Sequence, residues 1–152
     1  MTTLKDRLES DLRVAMKARD ELTTSTLRMA LAAVRAEEVS GKAARTLTED
    51  EVLAVVKRES KKRREAATAF ADAGRAEQAA RERAEDGVLE GYLPVQLTDE
   101  ELSALVTGAL KDVDASAGKS AIGPAMKAAN AAVAGRAEGG RVAAEVRRQL
   151  GI

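Results

Sequence analysis

The sequence predicts an all-α protein in which a four-helix N-terminal unit is joined by a short, proline-containing link to a compact three-helix C-terminal unit. Apolar residues recur every three or four positions along most of the 152 residues, which is the period of an amphipathic helix. Ala, Leu, Glu, Lys and Arg are abundant, and charged residues make up 33% of the chain, a composition typical of long helices. No alternation of apolar and polar residues predicts a strand.

The link between the two units lies in the segment Leu89–Leu102, which reads LEGYLPVQLTDEEL. Pro94 has no backbone N–H and disfavours the α conformation at Leu93, so a helix must end there. Thr98 and Glu101 have the spacing of a capping box, in which each side chain accepts from the other's free backbone N–H, and this pattern starts a new helix. We therefore expect two domains, residues 1–93 and 94–152.

Four amphipathic helices are expected in the first domain. The first two should run from about residue 2 to 19 and from about 21 to 39. A second capping box, from Thr48 to Glu51, predicts the start of the third and longest helix, which should end near Gly74. The fourth should reach Pro94. The predicted apolar stripes are, in chain order, Leu4, Leu8, Leu12 and Met16; Leu27, Leu31 and Val34; Val52, Val56, Glu59, Arg63, Ala66 and Phe70; and Ala80, Ala84, Val88, Leu89 and Tyr92.

Three shorter helices are expected in the second domain, with a loop over 112–118 and a turn over 135–140. The start of the middle helix is open. If Ser120 is its N-cap, Pro124 removes only the first intrahelical hydrogen bond, whereas a start at Ser116 requires a kink. The apolar positions of the three helices are Leu102, Leu105, Val106, Ala109 and Leu110; Ile122, Met126 and Ala129; and Val142, Val146 and Leu150.

The overall charge argues against a general attraction to nucleic acid or to a membrane surface, because 25 basic residues balance 25 acidic ones. The N-terminus is charged from the start, and no apolar run approaches the ~20 residues that span a bilayer. Cysteine is absent, which is compatible with a reducing compartment. We therefore expect a cytoplasmic protein with no membrane contact.

The residue types needed for the commonest enzyme chemistry are missing. Without His or Cys, the chain lacks the usual general base, the usual metal ligands and a Cys–His glutaminase pair. The triplet Gly118-Lys119-Ser120 resembles the end of a phosphate-binding loop, but Val113 stands where that motif has its first glycine, and no predicted strand precedes it. We expect no catalytic residue, no cofactor and no bound metal.

The strongest local charge lies in the third predicted helix, where six of the eight residues from Lys57 to Arg64 are basic. Such a stripe is either a solvated face neutralised by nearby carboxylates or a surface that contacts phosphates. Glu59 and Arg63 fall on the seam of the helix, so we expect them to form a partly buried pair. Four further arginines surround the last turn and helix. The candidate RNA-binding residues are Lys57, Arg58, Lys61, Lys62, Arg64, Arg136, Arg141, Arg147 and Arg148.

The chain has few means of reading single-stranded bases. Phe70 and Tyr92 are its only aromatic residues, whereas proteins that bind single strands stack bases on several aromatic rings. Any RNA that binds should therefore be recognised by its shape and its phosphates. Folded RNA fits this restriction better than a single strand.

Three segments together resemble the GatB/YqeY family: LEGYLPVQLTDEEL in the link, KRESKKRREAATAFADAGR upstream of it, and GRAEGGRVAAEVRRQL at the C-terminus. They occur in the family's order and spacing, and the resemblance covers nearly the whole chain. Members of this length are similar to the C-terminal helical and tail domains of GatB, a subunit of the glutamine-dependent amidotransferase that converts misacylated tRNA. In that enzyme the catalytic centres lie elsewhere, and these two domains help to bind tRNA.

The resemblance implies a noncatalytic accessory protein, with carbon–nitrogen ligase activity confined to the larger enzyme. The implied partner is tRNA or another folded RNA; the alternative is a protein-interaction module that docks on an amidotransferase subunit or another protein without contacting RNA. Pro124 departs from the family pattern, which has a helix former there. The matching motif positions are Tyr92, Leu93, Pro94, Gln96 and Leu97 in the link, and Gly135, Arg136, Ala137 and Gly139 in the tail, with Glu138 where members often have Asp.

Overall fold

A computed structural model describes residues 2–152 and confirms the predicted all-α class, since these residues form helices and no strand. Contacts between Cα atoms divide the chain into two compact units, unit 1 (Met1–Leu93) and unit 2 (Pro94–Ile152). Unit 1 contains α1 to α4, and unit 2 contains α5 to α7. The helices are α1 Leu4–Ala18, α2 Glu21–Glu38, α3 Glu49–Asp72, α4 Ala76–Glu90, α5 Asp99–Ala109, α6 Ile122–Val133 and α7 Gly139–Leu150.

Both predicted capping boxes are present at the starts of α3 and α5. The Glu51 N–H donates to Thr48 Oγ1 at 3.2 Å, and the Thr48 N–H donates to the Glu51 carboxylate at 3.3 Å. Thr98 and Glu101 repeat the arrangement at 3.1 and 3.3 Å. Thr3 forms a third capping box at the start of α1. Each box satisfies two of the N–H groups that a helix N-terminus leaves free, and so defines where the helix begins.

The core of unit 1 consists of leucine and valine side chains from α1, α2 and the first two turns of α3. Leu27 of α2 is fully buried within it, and Leu89 is the buried residue that α4 adds to this cluster. Farther along the α3–α4 hairpin, the buried apolar side chains are two alanines, Ala79 and Ala67, the latter one position after the predicted Ala66. Because alanines bury little surface, this part of the hairpin depends on polar contacts.

Two predicted stripes are confirmed in part and wrong at single positions. On α1, Met16 is 48% exposed and Ala15 is buried instead. On α4, Ala80 and Ala84 are exposed, whereas the adjacent pair Glu85–Asp86 is buried. The exposed alanines lose little buried area, and the buried carboxylates have partners on α3, which offset the cost of taking them out of water. The face of α4 that carries Glu85 and Asp86, and not the one that carries Ala80 and Ala84, therefore turns toward α3.

Unit 2 has a core of its own. Leu97 of the link is one of the buried residues of this core. The Leu97 N–H donates to the Arg136 carbonyl at 2.8 Å. The contribution of α6 is largely alanine, and small side chains let α5 and α7 approach α6 closely. The buried residues of this core are Leu97, Leu102, Val106, Ala125, Ala129, Val133, Val142 and Val146.

The loop predicted over 112–118 is largely helical in the structure. Two short 3₁₀ segments, Leu110–Asp112 and Ala115–Ala121, occupy the connection between α5 and α6. Gly118 interrupts the second segment with φ 64° and ψ −131°, a conformation that glycine adopts without steric cost. The prediction of an irregular loop is wrong because 3₁₀ turns need only short runs of local hydrogen bonds and leave no apolar periodicity in the sequence.

The start of α6 differs from both predicted alternatives. The helix begins at Ile122 with Ala121 as its N-cap, so neither Ser120 nor Ser116 holds that position. Pro124 lies in the first turn, where backbone N–H groups have no intrahelical acceptor, and the missing donor therefore costs the helix nothing. The helix continues through Pro124 to Val133 without interruption.

Candidate nucleic-acid interface

The third-helix ridge, defined here as Lys57, Arg58, Lys61, Lys62 and Arg64, lies along the middle of α3. The side chains of Arg58, Lys61 and Lys62 are all more than half exposed, whereas Lys57 and Arg64 are half-buried. The ridge therefore presents three cationic groups to solvent on consecutive turns of one helix.

Each exposed cation of the ridge has a carboxylate partner within unit 1. Arg58 lies 3.5 Å from Glu37 of α2. Lys61 lies 4.0 Å from Glu65, which is also exposed, and Lys62 lies 3.3 Å from Glu59. Exposed ion pairs of this kind contribute only about 0–1 kcal/mol. Arg58 and Lys61 can therefore exchange their carboxylate partners for phosphate oxygens at little cost, whereas Lys62 is paired with the buried Glu59.

Two of the four predicted C-terminal arginines support the fold of unit 2. The Arg136 guanidinium donates to the carbonyl of Val133 at 3.1 Å and to that of Ala132 at 3.3 Å, which caps the end of α6. Arg141 donates to the Leu97 carbonyl at 3.0 Å and to Asp99 Oδ1 at 2.9 Å. Both guanidiniums therefore bind backbone carbonyls at or beyond the ends of helices. The basic composition of this segment does not reveal that role.

The other two C-terminal arginines, Arg147 and Arg148, are exposed on α7. Arg148 pairs with Glu145 at 2.5 Å and donates to Ser103 Oγ of α5 at 3.3 Å. Arg147 makes no side-chain contact of this kind within residues 2–152. Of the nine predicted RNA-binding residues, three therefore combine high exposure with weak or no internal pairing: Arg58, Lys61 and Arg147. Lys62 is equally exposed but pairs with the buried Glu59.

Glu145 makes unit 2 sensitive to acid. Arg148 and Gln149 donate to its carboxylate and lower its pKa from 4.5 to about 2. A carboxyl group whose pKa is lower in the folded state adds to the free energy of unfolding above pH 4.5. This contribution is lost as the pH falls from 4.5 towards 2. We expect Glu145→Gln to be less stable than wild type at neutral pH and equal to it near pH 2. Urea unfolding at a series of pH values measures this, with exposed Glu100→Gln as the control; parallel pH profiles for wild type and Glu145→Gln would contradict it.

The predicted Glu59–Arg63 pair is confirmed, and it belongs to a larger buried network between α3 and α4. Arg63 Nη2 lies 3.5 Å from Glu59 Oε2, and Arg63 Nε lies 3.2 Å from Glu85 Oε2 and 3.8 Å from Glu82 Oε2. Only 11% of the Arg63 side chain is exposed. One guanidinium therefore faces three carboxylates. Burial and the nearby Glu85 carboxylate raise the pKa of Glu82.

A second polar contact continues this network along the hairpin. The Ser60 hydroxyl donates to Asp86 Oδ1, and both residues are buried. Arg64 donates to Ser60 Oγ at 3.4 Å, and Lys62 donates to Glu59 at 3.3 Å. Two ridge cations are thus attached to the buried network, which orients them along α3.

Tyr92, one of the two aromatic residues, is already engaged within unit 1. Its hydroxyl donates to Asp11 Oδ2 at 2.5 Å, and the Arg7 guanidinium lies 5.2 Å from the centre of its ring. Burial and the Asp11 carboxylate raise the pKa of Tyr92 above its usual range. A cation covers one face of the ring and the ring also packs against the core of unit 1, so it is poorly placed for stacking a base.

Neither a metal-binding cluster nor a membrane-spanning helix is present in residues 2–152. No group of three or more Asp and Glu side chains in residues 2–152 is arranged to hold a metal ion. None of the helices in this range combines the length and the apolar character that crossing a bilayer requires.

Comparison with known proteins gives one clear match. Residues 5–150 match the profile of the family described as Yqey-like protein. No curated protein matches the chain. The family match covers almost the whole sequence and confirms the resemblance that the three sequence segments indicate. The chain therefore belongs to the Yqey-like protein family and is a GatB-related accessory domain.

Proposed function

We propose that this protein is a noncatalytic accessory module that binds folded RNA, and that tRNA is the RNA it binds. The observation that carries the proposal is the exposure of Arg58, Lys61 and Lys62 on α3, where Arg58 and Lys61 are held only by weak ion pairs. Arg147 adds a fourth exposed cation in unit 2. Membership of a GatB-related family supports RNA as the partner.

The proposed interface recognises the shape and backbone of the RNA. Lysine and arginine side chains neutralise phosphates and release bound counterions, which supplies affinity without reading sequence. Tyr92 is covered by Arg7, and Phe70 is half-buried, so stacking of unpaired bases contributes little. The spacing of cations along α3 instead suits the rigid array of phosphates on a helical RNA surface.

A filter-binding titration of the full-length chain with tRNA over a range of salt concentrations tests the proposal. We expect log affinity to fall steeply with log salt. Lys61→Gln combined with Lys62→Gln should lower the slope by about 1.4–1.8, since each phosphate contact contributes about 0.7–0.9. Glutamine suits a helix about as well as lysine. The matched control is Lys111→Gln with Lys127→Gln, which removes two exposed cations from unit 2.

Two results would count against RNA binding through the ridge. One is wild-type binding that does not respond to salt; the other is an equal loss of affinity in the ridge variant and in its control. A protein that docks on another subunit gives a different pattern, because recovery of its partner from a lysate is unaffected by nuclease. That pattern, together with no salt-dependent tRNA binding, would favour the protein-interaction alternative.

A further inference from the structure

The α1–α2 hairpin carries the largest group of basic side chains that lack an internal partner. Each is exposed, and none forms an ion pair or a side-chain hydrogen bond within the part of the chain that the structure describes. The pair on α1 is four residues apart and the pair on α2 is seven apart, spacings that keep side chains on one face of each helix, and the fifth cation is the C-cap of α1. These cations are Arg13, Lys17, Arg19, Arg28 and Arg35.

Two of these arginines meet at a shallow, open groove of about 400 Å³, where α1 turns into α2. Arg19 lies at the end of α1 and Arg28 on the second turn of α2, and both line this α1–α2 groove. Met16, which is 48% exposed, lines it as well. Thr24, also in the lining, brings a hydroxyl group. The groove therefore combines these two guanidiniums with the hydroxyl groups of Thr24 and Ser25, one apolar side chain and two carboxylates.

The two carboxylates that line the groove already accept hydrogen bonds within unit 1. Asp20 accepts from the Thr23 N–H at 3.1 Å and from the Thr23 hydroxyl at 2.7 Å, as the N-cap of α2. Glu21 accepts two hydrogen bonds from Arg81 of α4, at 2.9 and 3.0 Å. These partners lower the pKa of both carboxyl groups. Glu21 is thus paired with Arg81, Asp20 keeps its negative charge while bonded to Thr23, and the guanidiniums of Arg19 and Arg28 have no internal partner among the described residues.

Arg19 occupies an unusual backbone position. It ends α1 in the left-handed conformation, with φ 56° and ψ 35°, where glycine is the common residue and other side chains are strained. Gly74 holds a comparable left-handed position after α3, with φ 74°. The Arg19 N–H caps the end of α1 by donating to the carbonyls of Ala15 and Met16, and Ala134 ends α6 in the same left-handed conformation with φ 50°.

We propose that the α1–α2 groove binds a backbone phosphate of the RNA through Arg19 and Arg28. This inference rests on the proposed function and adds a contact that the third-helix ridge does not provide. Guanidinium groups match the geometry of phosphate oxygens with paired N–H donors. The groove is open, so a phosphodiester within a continuous chain can enter it. Arg13, Lys17 and Arg35 extend the same charge along the hairpin for neighbouring phosphates.

The test is the salt-dependent tRNA titration of the full-length chain carrying Arg19→Gln and Arg28→Gln. The loss of two contacts should lower the slope of log affinity against log salt by about 1.4–1.8. For a variant that binds as tightly as wild type at 1 M salt, this difference in slope means roughly 25–60-fold weaker binding than wild type at 0.1 M salt. The matched control is Arg75→Gln with Arg83→Gln, two exposed arginines of the α3–α4 hairpin. Its affinity should stay within about twofold of wild type, because exposed charges away from the interface make no phosphate contact.

Arg19→Gly separates binding from folding. Glycine relieves the left-handed conformation, so the melting temperature should be unchanged or higher, while tRNA binding should be weaker. A parallel measurement uses the unaltered protein: tRNA should protect Arg19 and Arg28 from modification by phenylglyoxal, and should leave Arg75 and Arg83 reactive.

The outcomes distinguish this inference from the proposed function. If wild type binds tRNA with a steep salt dependence and the groove variant binds equally well, the groove contact is wrong and RNA binding stands. Equal reactivity of Arg19 and Arg28 with and without bound tRNA would also overturn the groove contact. If wild type shows no salt-dependent binding, the proposed function fails, and the groove contact fails with it.

Discussion

Replacing Arg63 with methionine should destabilise unit 1 by about 3–5 kcal/mol, because removal of one partner from a buried ion network leaves the others buried without compensation. The Arg63 side chain is only 11% exposed and lies within 4 Å of carboxylates on Glu59, Glu82 and Glu85. Methionine fills much of the space of the arginine stem, so the loss reports the missing charge more than a cavity. The expected effect approaches the whole stability of a small domain.

Urea unfolding of the Arg63→Met variant, followed by circular dichroism, measures this loss. Arg83→Met, an exposed change on α4, should stay within about 0.5 kcal/mol of wild type. Adding Glu59→Gln and Glu85→Gln to Arg63→Met should restore part of the lost stability, since Glu82 is then the only one of the three carboxylates left without Arg63. A decrease in the free energy of unfolding of less than about 1 kcal/mol in Arg63→Met, or no recovery in the triple variant, would show that the network does not stabilise the α3–α4 hairpin.

Leu27→Ala should cost unit 1 about 2–5 kcal/mol, the range for truncating a fully buried leucine. Leu27 lies in a core made almost entirely of leucine, valine and alanine, where no aromatic side chain is buried to move into the space. The total stability expected for a unit of this size is about 5–14 kcal/mol. The variant should therefore unfold at a clearly lower urea concentration than wild type.

The same variant tests whether the two units are separate domains, which stays a prediction. Native-state hydrogen exchange should show weaker protection in α1 to α3 of Leu27→Ala. If residues 1–93 and 94–152 are separate domains, protection in α5 to α7 should be unchanged. Met16→Ala, which truncates a 48% exposed side chain, is the control and should leave both units close to wild type. Equal loss of protection in both units would argue for a single cooperative domain.

Features that depend on neighbours in sequence were predictable from the residues alone. The capping boxes at Thr48 and Thr98 are present because their hydrogen bonds join residues three positions apart. The Glu59–Arg63 pair is present for a similar reason, since residues four apart lie side by side on a helix. The candidate ridge on α3 lies on exposed turns of one helix, as a local spacing rule implies.

Features that depend on distant parts of the chain were not predictable in this way. Nothing local shows that Arg136 caps α6 or that Arg141 reaches Leu97. The buried face of α4 was mispredicted because alanine and glutamate compete for it, and only partners on α3 make Glu85 the better choice. The α1–α2 groove was missed for the same reason, since Arg19 and Arg28 meet only when α2 folds back on α1.

The sequence by itself determined that this protein is helical, where most of its helices begin and end, and which family it belongs to. Caps, prolines, glycines and apolar spacing act within one or two turns, and their energies do not depend on the rest of the fold. The tertiary structure decided which charges are buried, which are exposed and which remain without a partner. That choice depends on ion pairs between helices far apart in sequence, such as Arg63 with Glu85 and Arg81 with Glu21. The free energy of a charged side chain depends on its burial and on the charges and hydrogen bonds around it, and the packing of the helices determines all three.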